Sequence, residues 1–312
     1  MCVTCRDPVP VTLNSFVFCH DQNLQAGVLA RWLCVESVSL TSACNILGCS
    51  QAQVQPAYDA ARDIMHWDAL RRQEKIRYGG RGSLTTDIEA DEAAFLRWKT
   101  IDEQGVHTYH WFVVVGVMER GRPDTLYIEV VGITKSVGEP RVPPLHKERW
   151  HELARRLFSE DTNGALMVDG ARCYISTASA CPGIVEVFSV NHSEGIFARS
   201  IECVSDVSKP FDDPQRLRPA MAGTQCIDSE WKRMKDELPP TRLKGIFEEG
   251  RQRAVKYIRM AQWKRHVYRE DRWEAFCAAA KESYSGVYIC LCPLRLRDCL
   301  YVAVGYGSFR LV

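Results

Sequence analysis

Long hydrophobic runs are missing from this 312-residue chain. The longest, Trp111–Met118 and Cys299–Gly307, fall far short of the ~18 residues that cross a membrane as a helix, so no membrane partner is expected. The opening MCVTCRDPVPV lacks a basic stretch followed by an apolar one, which argues against a secretory signal and for an intracellular setting. An excess of one charge sign is also missing: 40 Lys and Arg stand against 39 Asp and Glu, a balance of +1. Any nucleic-acid surface must then be a local patch. No internal repeat or extended low-complexity tract is present. Hydrophobic content of 46% and charged content of 25% are ordinary globular values, which excludes wholesale disorder, collagen and coiled coil. Cysteine is abundant, at 14 residues; without a secretory signal these read as free thiols or metal ligands rather than disulfides.

Periodicity divides the chain. Residues 24–34 have helical spacing, with Val28, Leu29, Trp32 and Leu33 on one face. A short helix around Leu40–Leu47 is broken by Gly48, and Ser50 caps a second helix running to about Met65, with Pro56 awkward inside it. Two short helices about a glycine turn form a helix-turn-helix-like pattern over 21–70. The tract 71–85 reads as a linker. Strands follow at Asp87–Trp98, Tyr109–Met118 and Leu126–Ile133, then an amphipathic helix at His146–Phe158 and strands ending at Asp169 and Val190. A polar loop is expected over 199–222 and a helix over Thr224–Leu238, stopped by Pro239-Pro240. Three consecutive antiparallel strands followed by alternating helices and strands predict a mixed α/β sheet over 86–240.

Three aspartates lie at informative places: Asp91 on the first strand, Asp169 ending the fourth, and Asp228 in the helix TQCIDSEWKRMK. Side by side in a hollow they would repel one another and need a cation, and hard oxygen ligands select Mg²⁺ or Mn²⁺. Taken singly, each aspartate is more often a cap or a surface residue. Residues 241–269 hold nine Lys or Arg and only Glu248 and Glu249 as acids, a local +7 that is either a solvated helix face or a phosphate-contacting surface. Its candidate DNA contacts are Arg251, Lys256, Arg259, Lys264 and Arg265, joined by Lys232 and Lys235. Tyr257 and Trp263 among these charges read as core.

Several blocks, in order, resemble the DDE transposases of the Merlin type and their bacterial ISXO-type insertion-sequence relatives. They are EADEAAF, WFVVVGVMERG, MVDGARCY, SVNHSEGIF, TQCIDSEWKRMK, in which Asp228 precedes Trp231 by three and Lys235 by seven, and MAQWKRHVYREDRWEAFC. The resemblance covers about residues 2–277 and leaves the tail 278–312 unassigned. It implies an RNase H-like core at 86–240, basic C-terminal helices at 241–277, and a helical N-terminal domain. It also implies metal-dependent cutting of double-stranded DNA at element ends and transfer of the freed 3′-hydroxyl to a target, by a homodimer or larger assembly. In that picture Asp91, Asp169 and Asp228 hold Mg²⁺ or Mn²⁺, Lys235 contacts DNA or supports the site, and Asn191 and His192 lie nearby. Read alone, His192 is more often a hydrogen-bonded structural residue, and Asn191 suits the backbone groups of a loop equally well. The location implied is the nucleus for a eukaryotic host, which the many cysteines and unusual tail favour, and the cytoplasm otherwise.

The chain departs from this family in three places. Asp228 stands where the family usually has Glu, one methylene longer; Glu230, about 200° round the helix, is a poor substitute. Cys2 and Cys5 resemble one knuckle of a zinc ribbon at 1–20, but a second knuckle is missing and two cysteines do not complete a tetrahedral site, so Zn²⁺ is not expected. Residues 1–80 carry seven basic and seven acidic side chains, which leaves the helical hairpin with little phosphate attraction. The alternative is a catalytically inactive, transposase-derived DNA-binding or interaction protein. An unrelated enzyme using a cysteine has no general base in recognisable context to support it.

Overall fold

The computed structural model describes residues 24–238 and 248–283. Cys2, Cys5 and most of the unassigned tail lie outside these residues. The described residues divide into two compact units, one made of 24–60 and 273–283 and the other of 61–238 and 248–272.

The first unit contains α1 (Leu24–Val35), α2 (Leu40–Leu47) and the start of α3 (Gln51–Glu74). Local chemistry sets these boundaries. The Ser42 N–H donates to Ser39 Oγ at the head of α2, and Gly48 ends it with φ 62°. Ser50 opens α3: its N–H and hydroxyl both donate to Gln53 Oε1, the reciprocal half of a capping box. Tyr58 is buried and its hydroxyl donates to the Val38 carbonyl, tying α3 to the α1–α2 link. Helix α9 (Arg272–Ser283) adds buried Ala275, Phe276, Ala279 and Ala280.

The second unit is a mixed α/β fold around a six-stranded sheet. Its strands are β1 (Gly80–Arg81), β2 (Thr86–Ile101), β3 (His107–Glu119), β4 (Tyr127–Val137), β5 (Thr162–Asp169) and β6 (Ile184–Val190). From β4 the order runs β3, β2, β5, β6, with the β4–β3 and β3–β2 pairs antiparallel and the β2–β5 and β5–β6 pairs parallel. Short β1 pairs with the start of β5. The mixed sheet is the one expected from the strand order. Strand β3 is interior, between β2 and β4, and its run Trp111–Val115 is buried without alternation. One face carries α4 (Lys147–Leu157), whose Trp150, Leu153, Ala154 and Leu157 pack on Ile88, Ala90, Val115, Val117, Leu166 and Val168. Two short helices, α5 (Arg172–Ile175) and α6 (Thr177–Ala180), join this layer, and the Trp150 indole N–H donates to Thr177 Oγ1. The other face carries α7 (Gln225–Asp236).

Three expectations are corrected. Helix α3 runs on to Glu74, so the tract 71–85 begins as helix and contains β1. Buried Asp68 holds this last stretch, because Arg71, Arg72 and the Trp263 indole N–H all donate to its carboxylate. The region 199–222 is not a simple loop: β7 (Arg199–Val204) and β8 (Leu217–Ala222) form an antiparallel pair that the Asp87–Arg218 ion pair joins to β2. Finally, α8 (Glu248–His266) is not a solvated cationic face. Arg259 and Lys264 are buried, Arg259 donating to Gln73 and Gln262, and Lys264 pairing with Glu237. Arg265 pairs with buried Glu230 on α7. Of the α8 candidates whose side chains are described, Lys256 is the exposed one, and it pairs with Asp63; Lys232 and Lys235 on α7 are exposed as well. The side chain of Arg251 is outside the described set. Tyr257 and Trp263 are core, as read from sequence. Among the described residues no helix is long and apolar enough to cross a membrane.

Candidate functional site

Side-chain alternation decides which carboxylates meet. Ile88 and Ala90 face the α4 layer, so Glu89 and Asp91 face the opposite side, towards α7. In the parallel β2–β5 register Ala90 pairs with Val168, and Asp91 and Asp169 are the next residues on neighbouring strands. Both therefore project from the same end and face of the sheet. Helix α7 brings Asp228 to them. A cleft of about 480 Å³ is lined by Asp91, Glu92, Asp228, Trp231, Lys232, Lys235 and Asp236.

The electrostatics record the same convergence. Burial, then the charges of Asp228 and Asp169, push the Asp91 carboxyl up to about 8. Its Oδ2 accepts the Trp231 indole N–H at 2.9 Å. Asp169 Oδ1 accepts the Ala171 N–H, and Asp228 Oδ2 accepts the Thr224 hydroxyl. Among the described residues no group of three or more His, Cys, Asp or Glu is arranged to hold a metal ion. The donor set nevertheless suits a hard divalent cation by its chemistry: three oxygen-only side chains whose mutual repulsion already opposes ionisation of one of them. Lys235 lies two turns from Asp228 on the same side of α7, with its Nζ 5.5 Å over the Phe95 ring.

The neighbours named from sequence are placed less centrally. Asn191 directly follows Val190, the β6 partner of Asp169, and donates to Glu194. His192 packs against the Phe197 ring, centroids 4.9 Å apart. Glu230, dismissed as a substitute for Asp228, is buried and paired with Arg233 and Arg265. The described cysteines are all free thiols. Burial and the Glu92 and Asp169 charges push Cys173 up to about 12, opposite to what a nucleophile requires.

Sequence reasoning missed the residues that aim α7. Glu89 is fully buried; its Oε1 accepts Arg120 Nε–H at 2.7 Å, and its Oε2 accepts the Ile227 N–H at 2.8 Å, a carboxylate at a helix N-terminus. Arg120 also donates to the Met221 and Gly223 carbonyls just before α7. The available signals were the i, i+2 spacing of Glu89 and Asp91 on one strand and the Glu-Arg-Gly turn. Gly116 is the second omission. It pairs with Asp91 across the sheet, and a Cβ there would lie 2.3 Å from the Trp231 ring. The missing side chain is the space in which Trp231 reaches Asp91. Gly116→Val should therefore lower stability by about 1–3 kcal/mol and move Trp231 off Asp91, read as a lower denaturation midpoint and altered tryptophan emission.

No protein-family model matches the chain, and no curated protein matches it.

Proposed function

We propose that the cleft is a divalent-cation-dependent phosphodiester site of the RNase H-like, DDE transposase kind, acting on double-stranded DNA. One observation carries the reading: three residues far apart in sequence meet, Asp91 and Asp169 at the next position on paired strands and Asp228 lining the same cleft as Asp91. The strand order β4-β3-β2-β5-β6, with three antiparallel strands leading into two parallel ones, is compatible with an RNase H-like core. Asp91, Asp169 and Asp228 would hold Mg²⁺ or Mn²⁺, which supplies Lewis-acid stabilisation of a phosphodiester and activation of a water or hydroxyl nucleophile. The chain's own part is to orient these groups. Trp231 holds one oxygen of Asp91, the Glu89–Arg120 pair fixes the start of α7, and Lys232 and Lys235 offer positive charge to a phosphate entering beside Asp228.

The test is cleavage of labelled duplex carrying the sequences that flank the coding region, with Mg²⁺ or Mn²⁺ and with chelator. Cleavage should need the cation and fall roughly a hundredfold or more in Asp169→Asn and Asp228→Asn. Cutting that persists in both variants would sink the proposal. A second reading, DNA binding without chemistry, is favoured by the short reach of Asp228, one oxygen of which already accepts from Thr224. Recovery of cutting in Asp228→Glu would identify reach as the defect; DNA bound but uncut by that variant would support the second reading.

A further inference from the structure

The β2–β5 ladder ends at the pair Ala90 and Val168, one residue short of Asp91 and Asp169. Past that point Asp91 is held by Gly116 of β3, and Asp169 by Val190 of β6. The sheet thus parts at the two carboxylates, whose like charges push them further apart. A contact on the reverse face closes the split. Glu92 follows Asp91 and leaves β2 on the α4 side. There its Oε1 accepts the Tyr174 hydroxyl at 3.1 Å and the Cys173 thiol at 3.9 Å, and the Leu145 N–H donates to the same carboxylate. Tyr174 belongs to α5, which follows directly on the Asp169 turn. Its side chain is fully buried, and the ring meets Trp150 edge-on with centroids 4.7 Å apart. The turn between them is tight, because the Ala171 N–H donates back to Asp169 Oδ1 at 3.0 Å. A displacement of Tyr174 is therefore passed on to Asp169.

We propose that Glu92 is the positioning residue for Asp169: a clamp that ties β2 to the Asp169 turn through Tyr174 and sets the separation of Asp169 from Asp91. It serves Asp169 as Glu89 serves Asp228, by accepting hydrogen bonds from the element that carries the partner aspartate. One short stretch of β2 then aims both partners of Asp91. A role for Glu92 as a cation ligand fits less well. It borders the cleft, but its carboxylate already accepts from three donors, and it leaves the strand on the face opposite to Asp91. That the separation governs cation binding rests on the phosphodiester reading of the cleft; the clamp itself does not.

The experiment titrates Mn²⁺ into the full chain, reading free Mn²⁺ by electron paramagnetic resonance, and follows amide exchange of residues 170–175 in chelator. Tyr174→Phe should weaken Mn²⁺ binding roughly tenfold and speed that exchange. Glu92→Ala should do the same. Glu92→Gln keeps an oxygen for the tyrosine hydroxyl and should recover most of the affinity. Glu92→Gln as weak as Glu92→Ala would make Glu92 a cation ligand and overturn the proposal, as would wild-type affinity in Tyr174→Phe. If Tyr174→Phe melts early, the contrast between Glu92→Ala and Glu92→Gln decides. Equal Mn²⁺ binding by the wild type and Asp169→Asn would instead sink the cation reading of the cleft. Amide exchange then judges the clamp alone: faster exchange in Tyr174→Phe upholds it, and unchanged exchange overturns it.

Discussion

Near pH 8 the Asp91→Asn chain should melt well above the wild type, and near pH 4 the two should melt together. Asp91 has an ordinary value of 3.8 in the unfolded chain and is pushed up to about 8 in the fold by burial, Asp228 and Asp169. Between those values the native state keeps a proton that the unfolded state has released. Stability therefore falls as pH rises through this window and levels off above it, once both states are ionised. A raised carboxylate thus acts opposite to a salt-bridged one. The full difference is on the order of 5 kcal/mol, a large fraction of an ordinary domain's stability. Asparagine keeps the shape, retains an oxygen for the Trp231 N–H and never ionises, so it removes this dependence. Titrating groups remote from the cleft are common to both chains and cancel in the comparison. Parallel wild-type and variant curves from pH 4 to 8 would show that Asp91 is not held in this environment. Added Mg²⁺ should narrow the gap near pH 8 by stabilising only the ionised wild-type site.

Glu89→Ala should cost about 3–5 kcal/mol, the range for removing one partner of a buried ion pair. Its effect is larger than that of a surface pair because nothing replaces the carboxylate. Arg120 is left with carbonyl partners alone, and the Ile227 N–H loses its acceptor at the head of α7. Replacing Glu89 and Arg120 together by methionine should recover much of the stability, since a buried pair and an apolar pair of similar volume are often equivalent. The aim of α7 should not recover, because the ion pair ties β2 and the β3–β4 turn to the start of α7. Chemical denaturation of both variants separates the two effects when combined with tryptophan emission from the α7 side of the sheet. A double variant that restores both stability and the Trp231 environment would reduce the ion pair to ordinary packing.

How much of this could be read from the residues depended on range. The alternation EADEAAF and the run WFVVVGVM specify strands by themselves, and His146–Phe158 specifies a helix by its apolar spacing. Asp228, Trp231 and Lys235 share one helical side by arithmetic, and all three line the cleft. Failures came where the deciding contact is distant. The β7–β8 region has weak patterning and three prolines, two of them between the strands, and is joined to β2 through Asp87 and Arg218. The basic run on α8 looked like a surface because charge is usually solvated. Arg259, Lys264 and Arg265 are inside because Gln73, Gln262, Glu237 and Glu230 await them from other elements.

The sequence by itself determined much of the local structure: the helices at His146–Phe158 and Thr224–Leu238, the strands of the central sheet, the boundaries at Gly48 and Ser50, and that Asp91 and Glu89 lie on one side of a strand. Those properties depend on neighbours within a few residues. Only the tertiary structure decided that Asp169 stands beside Asp91, that Gly116 leaves room for Trp231, and that Glu89 and Arg120 aim the helix bearing Asp228. These depend on strand register and on the burial of charge among elements far apart in the chain. Neither has a periodic signature, because a buried carboxylate and an exposed one are written with the same letter.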